Sequence, residues 1–101
     1  MDSHWNPWRK LLPALRMKPS EYFKRQCVIS TEPDDDVGDA VVEHVGDDYV
    51  VWASDFPHPD AHFPGAVTKT LGSMARLPPA SGGKLLATNA ARLYGLTLPR
   101  R

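Results

Sequence analysis

The sequence predicts an α/β fold built on a parallel βαβ unit, and three observations carry that prediction. Two short runs rich in β-branched and aromatic residues, 26–31 and 49–54, read as strands. Between them lies a short helical pattern over 39–45 with Gly46 as its stop, and the connection is long enough for a parallel crossover. The second run, Tyr49-Val50-Val51-Trp52-Ala53-Ser54, is apolar almost without alternation, as a strand covered on both faces should be. It stops abruptly at Asp55 and enters the proline-punctuated turn Phe56-Pro57-His58-Pro59-Asp60. In sheets of this kind ligands sit at the carboxyl ends of the strands, which is where Asp55 falls. The plainer reading of the same residues is a turn-capping aspartate followed by a surface histidine.

Taken in order, the elements support this frame. Trp5, Trp8, Leu12 and Leu15 recur at spacings of three and four, the pattern of an amphipathic helix, with Pro7 suited to its first turn and Pro13 set to kink or end it. Such large apolar side chains are packing material and need something substantial to cover them. Ser20 is placed to cap a single helical turn through Tyr22 and Phe23, ahead of the first strand. The acidic run Asp34-Asp35-Asp36 reads as a solvated loop or a helix start, with cation binding as the less favoured alternative. After the proline-rich loop, Val67, Leu71, Met74 and Ala75 mark a helix over 65–77, ended by Pro78-Pro79. A last helix is predicted over 85–94, with Gly95 as its terminal residue and a start weakened by Gly82 and Gly83.

Composition narrows the function classes. A chain of 101 residues is at most one domain, and folded alone it buries roughly two thirds of its unfolded surface. Twelve basic and twelve acidic residues cancel, so no net field recommends nucleic acid or an anionic membrane as partner. The basic tail Arg100-Arg101 reads as a solvated terminus. Cys27 is the single cysteine; it agrees with a reducing cytoplasm and is expected to be a small buried residue rather than a nucleophile. The first residues have neither a basic start nor an apolar stretch, and no run approaches the length of a membrane span, so a cytoplasmic, soluble protein is expected.

Three blocks then converge on a family. They are Lys18-Pro19-Ser20-Glu21-Tyr22-Phe23-Lys24-Arg25-Gln26-Cys27, Trp52-Ala53-Ser54-Asp55-Phe56-Pro57-His58-Pro59-Asp60 and Thr88-Asn89-Ala90-Ala91-Arg92-Leu93-Tyr94-Gly95-Leu96. Their order and spacing resemble the carboxyl end of the amidohydrolase-related enzymes, in the branch that contains aminocarboxymuconate-semialdehyde decarboxylase and related metal-dependent hydrolases. Asp2-Ser3-His4-Trp5 also looks like the interior of a helix in that family. The resemblance implies a (β/α)₈ TIM barrel, of which residues 1–101 would be the carboxyl-terminal part: the last two parallel strands, the flanking helices and the terminal helix. It implies a divalent metal, with zinc expected, and a small-molecule substrate that is hydrolysed or decarboxylated.

In the family the aspartate ending the final strand sits at the metal centre, and Asp55 matches it, as metal ligand and as the catalytic acid or base. His58 would face the substrate or stand behind the metal ligands. Asn89 would cap or brace the last helix. The family's H-x-H ligand pair has no counterpart here, since His4, His44, His58 and His62 are the only histidines, so the chain by itself is expected to be inactive. Two alternatives compete with this reading. One is a self-contained metal site from Asp55, His58, Asp60 and His62, opposed by Pro59 and Pro64 in the way of a helical histidine pair. The other is a non-catalytic remnant that docks on another barrel, or on itself as a homo-oligomer, through exposed strand edges.

Overall fold

The computed structural model describes residues 2–33, 35 and 38–99. Asp34, Asp36, Arg100 and Arg101, on which part of the acidic run and the basic tail fall, lie outside the described residues. The chain opens with a 3₁₀ turn, Asp2–His4, and α1 (Trp5–Trp8). The expected helix through Leu15 is not formed. Pro13 lacks the N–H that a continuing helix would use and its ring would clash one turn back, so Leu11, Leu12 and Leu15 are left exposed.

α2 (Pro19–Gln26) starts with proline at its first position, and its last turn carries Lys24 and Arg25, which suit the negative end of the helix dipole. Ser20 does not cap it. Instead the Lys18 N–H donates to Glu21 Oε2 at 2.7 Å, and the Asp2 carboxylate accepts from Ser20 N–H at 3.0 Å and from Ser20 Oγ at 2.6 Å. Those bonds hold the Asp2 carboxyl below the usual carboxylate range. The helix claims Gln26, which the sequence assigns to the first strand. Cys27 follows as the helix cap and is exposed, not buried as expected, because it stands at the turn between helix and strand.

β1 (Ile29–Thr31) and β2 (Val50–Trp52) pair in parallel, Ile29 opposite Val50 and Thr31 opposite Trp52, and the Ala53 N–H extends the ladder to the Thr31 carbonyl at 2.9 Å. α3 (Gly38–Val45) joins them, ending at Gly46, whose φ of 102° is open to glycine but strained for other residues. Tyr49 belongs to a 3₁₀ turn, Asp47–Tyr49, so β2 begins one residue later than predicted. Among the described residues the sheet has these two strands.

α4 (Ala66–Ser73) continues into a 3₁₀ turn, Met74–Arg76, and breaks at Pro78 and Pro79 as predicted. The last helical run begins earlier than the glycines suggested. α5 (Pro79–Gly83) passes through a π-helical turn, Lys84–Thr88, into α6 (Asn89–Tyr94), and Gly95 closes it at φ 65° with the Leu96 N–H donating to the Ala91 carbonyl at 2.8 Å. Pro79 supplies a pre-set first position, which offsets the cost of Gly82 and Gly83. The core lies between β2 and this run: Val50, Leu85 and Ala91 are its buried apolar residues, joined by the buried Thr31, Ser81 and Asn89. Among the described residues no helix is long and apolar enough to cross a membrane.

Candidate active site at the end of the second strand

What fixes β2 at its start is a set of side chains reaching across from the last helical run. Asn89, 3% exposed, donates through Nδ2 to the carbonyls of Asp47 at 2.6 Å and Val50 at 2.7 Å. The Asp47 carboxylate accepts from Ser81 Oγ at 2.7 Å and Lys84 Nζ at 2.9 Å, while Lys84 also pairs with Asp48 at 2.9 Å and the Arg92 guanidinium donates to the Asp48 carbonyl. The Lys84 ammonium, then the Ser81 hydroxyl, hold the Asp47 carboxyl below its ordinary value, and Asp47 followed by Asp48 raises Lys84. Asn89 therefore braces as expected, but it grips the strand more than its own helix. The partners Asp47, Ser81 and Lys84 were missed by sequence reasoning; the helical spacing of Ser81, Lys84 and Arg92 on one run was the available signal.

At its other end β2 runs through Ala53 and Ser54 to Asp55, which adopts a φ of 57°, uncommon for a residue with a side chain. Two turns follow: the His58 N–H donates to the Asp55 carbonyl at 2.8 Å, and the Ala61 N–H to the His58 carbonyl at 3.0 Å. They curl the loop so that His58 Nδ1 stands 3.6 Å from Asp55 Oδ2 and hydrogen-bonds Asp60 Oδ1. Asp55, His58 and Asp60 each offer a ligand atom, and these atoms lie within 4.8 Å of one another, all on exposed side chains. The bond to Asp60, reinforced by the charges of Asp60 and Asp55, raises the His58 pKa above its ordinary 6.5, and the same bond lowers Asp60 below 3.8.

The two site residues named from the sequence are thus brought together, and Asp60 joins them. His62 is not part of this group; its Nε2 lies 4.0 Å from the point where a Cβ on Gly65 would stand. His44 is engaged on α3 with the Ala40 carbonyl at 2.9 Å, and His4 with Ser3 at 3.2 Å. One imidazole and two carboxylates make a mixed nitrogen and oxygen donor set, whose chemistry fits a borderline divalent ion. A loop that presents such a set at the carboxyl end of a parallel strand can hold a cation, bind a polar substrate group and move protons.

Comparison with known proteins adds one positive finding. The family model described as Amidohydrolase matches residues 2–96, a span that takes in all three sequence blocks and the whole of the site. No curated protein matches the chain.

Proposed function

The chain belongs to the amidohydrolase family, and from that premise we propose that it is the carboxyl-terminal part of a metal-dependent hydrolase or decarboxylase of the branch containing aminocarboxymuconate-semialdehyde decarboxylase. The observation that carries the reading is the placement of Asp55 just past the end of β2, in a loop that gathers His58 and Asp60 around it. In this reading β1 and β2 are the last two strands of a (β/α)₈ barrel, and the front strands supply the remaining ligands. A divalent metal, zinc by preference, supplies Lewis acidity and makes water acidic near neutral pH. Asp55 would hold it, with the hydrogen-bonded pair of His58 and Asp60 beside it.

The chain's own residues do the rest. The Asp55 carboxylate takes up and returns a proton at the reacting group, and the turn closed by the His58 N–H on the Asp55 carbonyl keeps the residue in place. His58, hydrogen-bonded to Asp60 and 3.6 Å from Asp55, faces a polar portion of a small-molecule substrate. The compartment that the lone Cys27 suits is a reducing cytoplasm. Asp55→Asn, introduced into an enzyme that carries this sequence as its carboxyl-terminal part, is expected to lower turnover by about a hundredfold or more. Near-normal turnover would sink the assignment of Asp55.

A second reading, a non-catalytic interaction module, draws on the exposed Leu11, Leu12, Leu93, Leu96 and Leu98 and on the open edges of the two-stranded sheet. Light scattering on the 101-residue chain separates the two: a concentration-dependent dimer favours the module, and a compact monomer argues against it.

A further inference from the structure

β1 ends beside β2, and the residue that follows its last is a carboxylate, Glu32. We propose that Glu32 is a second carboxylate of the reaction site: it contacts the substrate from the neighbouring strand and selects one that carries a hydrogen-bond donor, a hydroxyl or an amine, next to the group that reacts at Asp55. The inference rests on the reading that the end of β2 is the reaction site. It adds a specificity-determining residue and the chemical class of the group that this residue recognises.

Register and face carry it. Ile29 stands opposite Val50 and Thr31 opposite Trp52, so Glu32 falls level with Ala53. The Ala53 N–H donates to the Thr31 carbonyl at 2.9 Å, which keeps the strands paired up to that level. Side chains alternate between the two faces of a sheet. Thr31 and Val50, 6% and 0% exposed, belong to the face that the last helical run covers, and Trp52 and Ser54 on the same face line a groove with Ala66 and Val67 of α4. Glu32, Val51 and Ala53 therefore lie on the opposite face, and Asp55 follows two residues after Ala53. In a barrel backed by helices that opposite face is the interior, and catalytic residues come from the ends of several different strands. Adjacent strands lie about 4.8 Å apart, within the reach of a glutamate side chain.

The backbone at Glu32 is held in place. Its N–H donates to Asp35 Oδ2 at 2.9 Å and its carbonyl accepts from the Asp35 N–H at 3.1 Å, so the Asp35 carboxylate is engaged locally while the Glu32 side chain springs from a fixed strand end. The charge of Glu32 also reaches the loop: after the bond to Asp60 and the charges of Asp60 and Asp55, it adds to the pull that raises the His58 pKa. An ionised carboxylate only accepts hydrogen bonds, and it repels an anion, so the group it recognises is a donor. A site built to hydrogen-bond such a group discriminates strongly against a substrate that lacks it, because the carboxylate is then left without its partner.

Two measurements test it. In the 101-residue chain, nuclear Overhauser contacts from the Glu32 side-chain protons to the Ala53 methyl are expected; contacts to Met74 or Leu77 in their place would put the carboxylate on the helix side and overturn the proposal. In an enzyme that carries this sequence as its carboxyl-terminal part, Glu32→Gln should raise KM by about tenfold or more, with the smaller share of the loss in kcat, and Glu32→Asp should restore part of it. An unchanged KM, or a loss confined to kcat, would overturn it as well. Asp55→Asn is read by turnover, whereas Glu32→Gln is read by KM and the Glu32 placement by its contact with Ala53, so a failure of the Asp55 assignment is distinguishable from a failure of this one.

Discussion

The two ends of β2 are built on opposite terms. At its start, the turn at Asp47–Tyr49 is stitched to the last helical run by Asn89, Ser81, Lys84 and Arg92, and Val50 and Leu85 close over the seam with essentially no exposure. At its far end, Asp55, His58 and Asp60 stand exposed on a loop whose backbone is held by its own turns. The difference teaches how one short strand can serve both stability and chemistry. The buried end fixes where the strand lies, and the open end is free to carry charged groups that a core would not tolerate.

The comparison predicts a gradient of mutational effects. Leu85→Ala should cost the most, about 2–5 kcal/mol of unfolding free energy by urea denaturation, because it empties the centre of the seam. Phe56→Ala, at the open end, should change stability by no more than about 0.5 kcal/mol; a loss equal to that of Leu85→Ala would erase the contrast. Asn89→Ala should fall between them, at about 2–3 kcal/mol, since the buried Val50 carbonyl and the part-buried Asp47 carbonyl both lose their donor. Ser81→Ala should cost about 1 kcal/mol, the usual worth of one hydrogen bond.

The smallest effect belongs to the loop and depends on pH. His58 is raised by Asp60, so its contribution is fully present below its ordinary value of 6.5 and is lost as pH rises through the raised value. Asp60 is lowered by His58, so its contribution is present above 3.8 and is lost as pH falls through the lowered value. The pair therefore acts between those limits, and a proton NMR titration should show His58 titrating above 6.5 in the native chain and returning toward it in Asp60→Asn. An unchanged His58 titration in that variant would dissociate the two residues.

Much of this was legible in the residues. The βαβ unit, the parallel pairing and the break at Pro78-Pro79 follow from apolar runs and from breakers that act locally. Asp55 at the strand end and His58 in the following turn were readable because a strand pins the first and the prolines restrict the second. Asp60 as a member of the group was seen only as part of a rival site, since its place depends on how two successive turns curl. The helix through Leu15 fails at Pro13, a breaker the sequence already displays, whereas the late start after Gly83 was misread because propensity reports what a segment favours by itself and the partner that Ser81 finds in Asp47 decided the outcome. Cys27 shows the same limit: its run reads as strand, but α2 took its first residue and left the thiol at a turn.

The most direct test of the central claim, that Asp55 is the ligand and acid at the end of β2, is calorimetric titration of the 101-residue chain with Zn²⁺, in native form, as Asp55→Asn, as His62→Ala, and as His58→Ala with His62→Ala. The account predicts weak binding that is lost in Asp55→Asn and is insensitive to the His62 change. Binding that survives Asp55→Asn and vanishes only when both histidines are replaced would contradict it, and would place the metal on a self-contained histidine site in the loop.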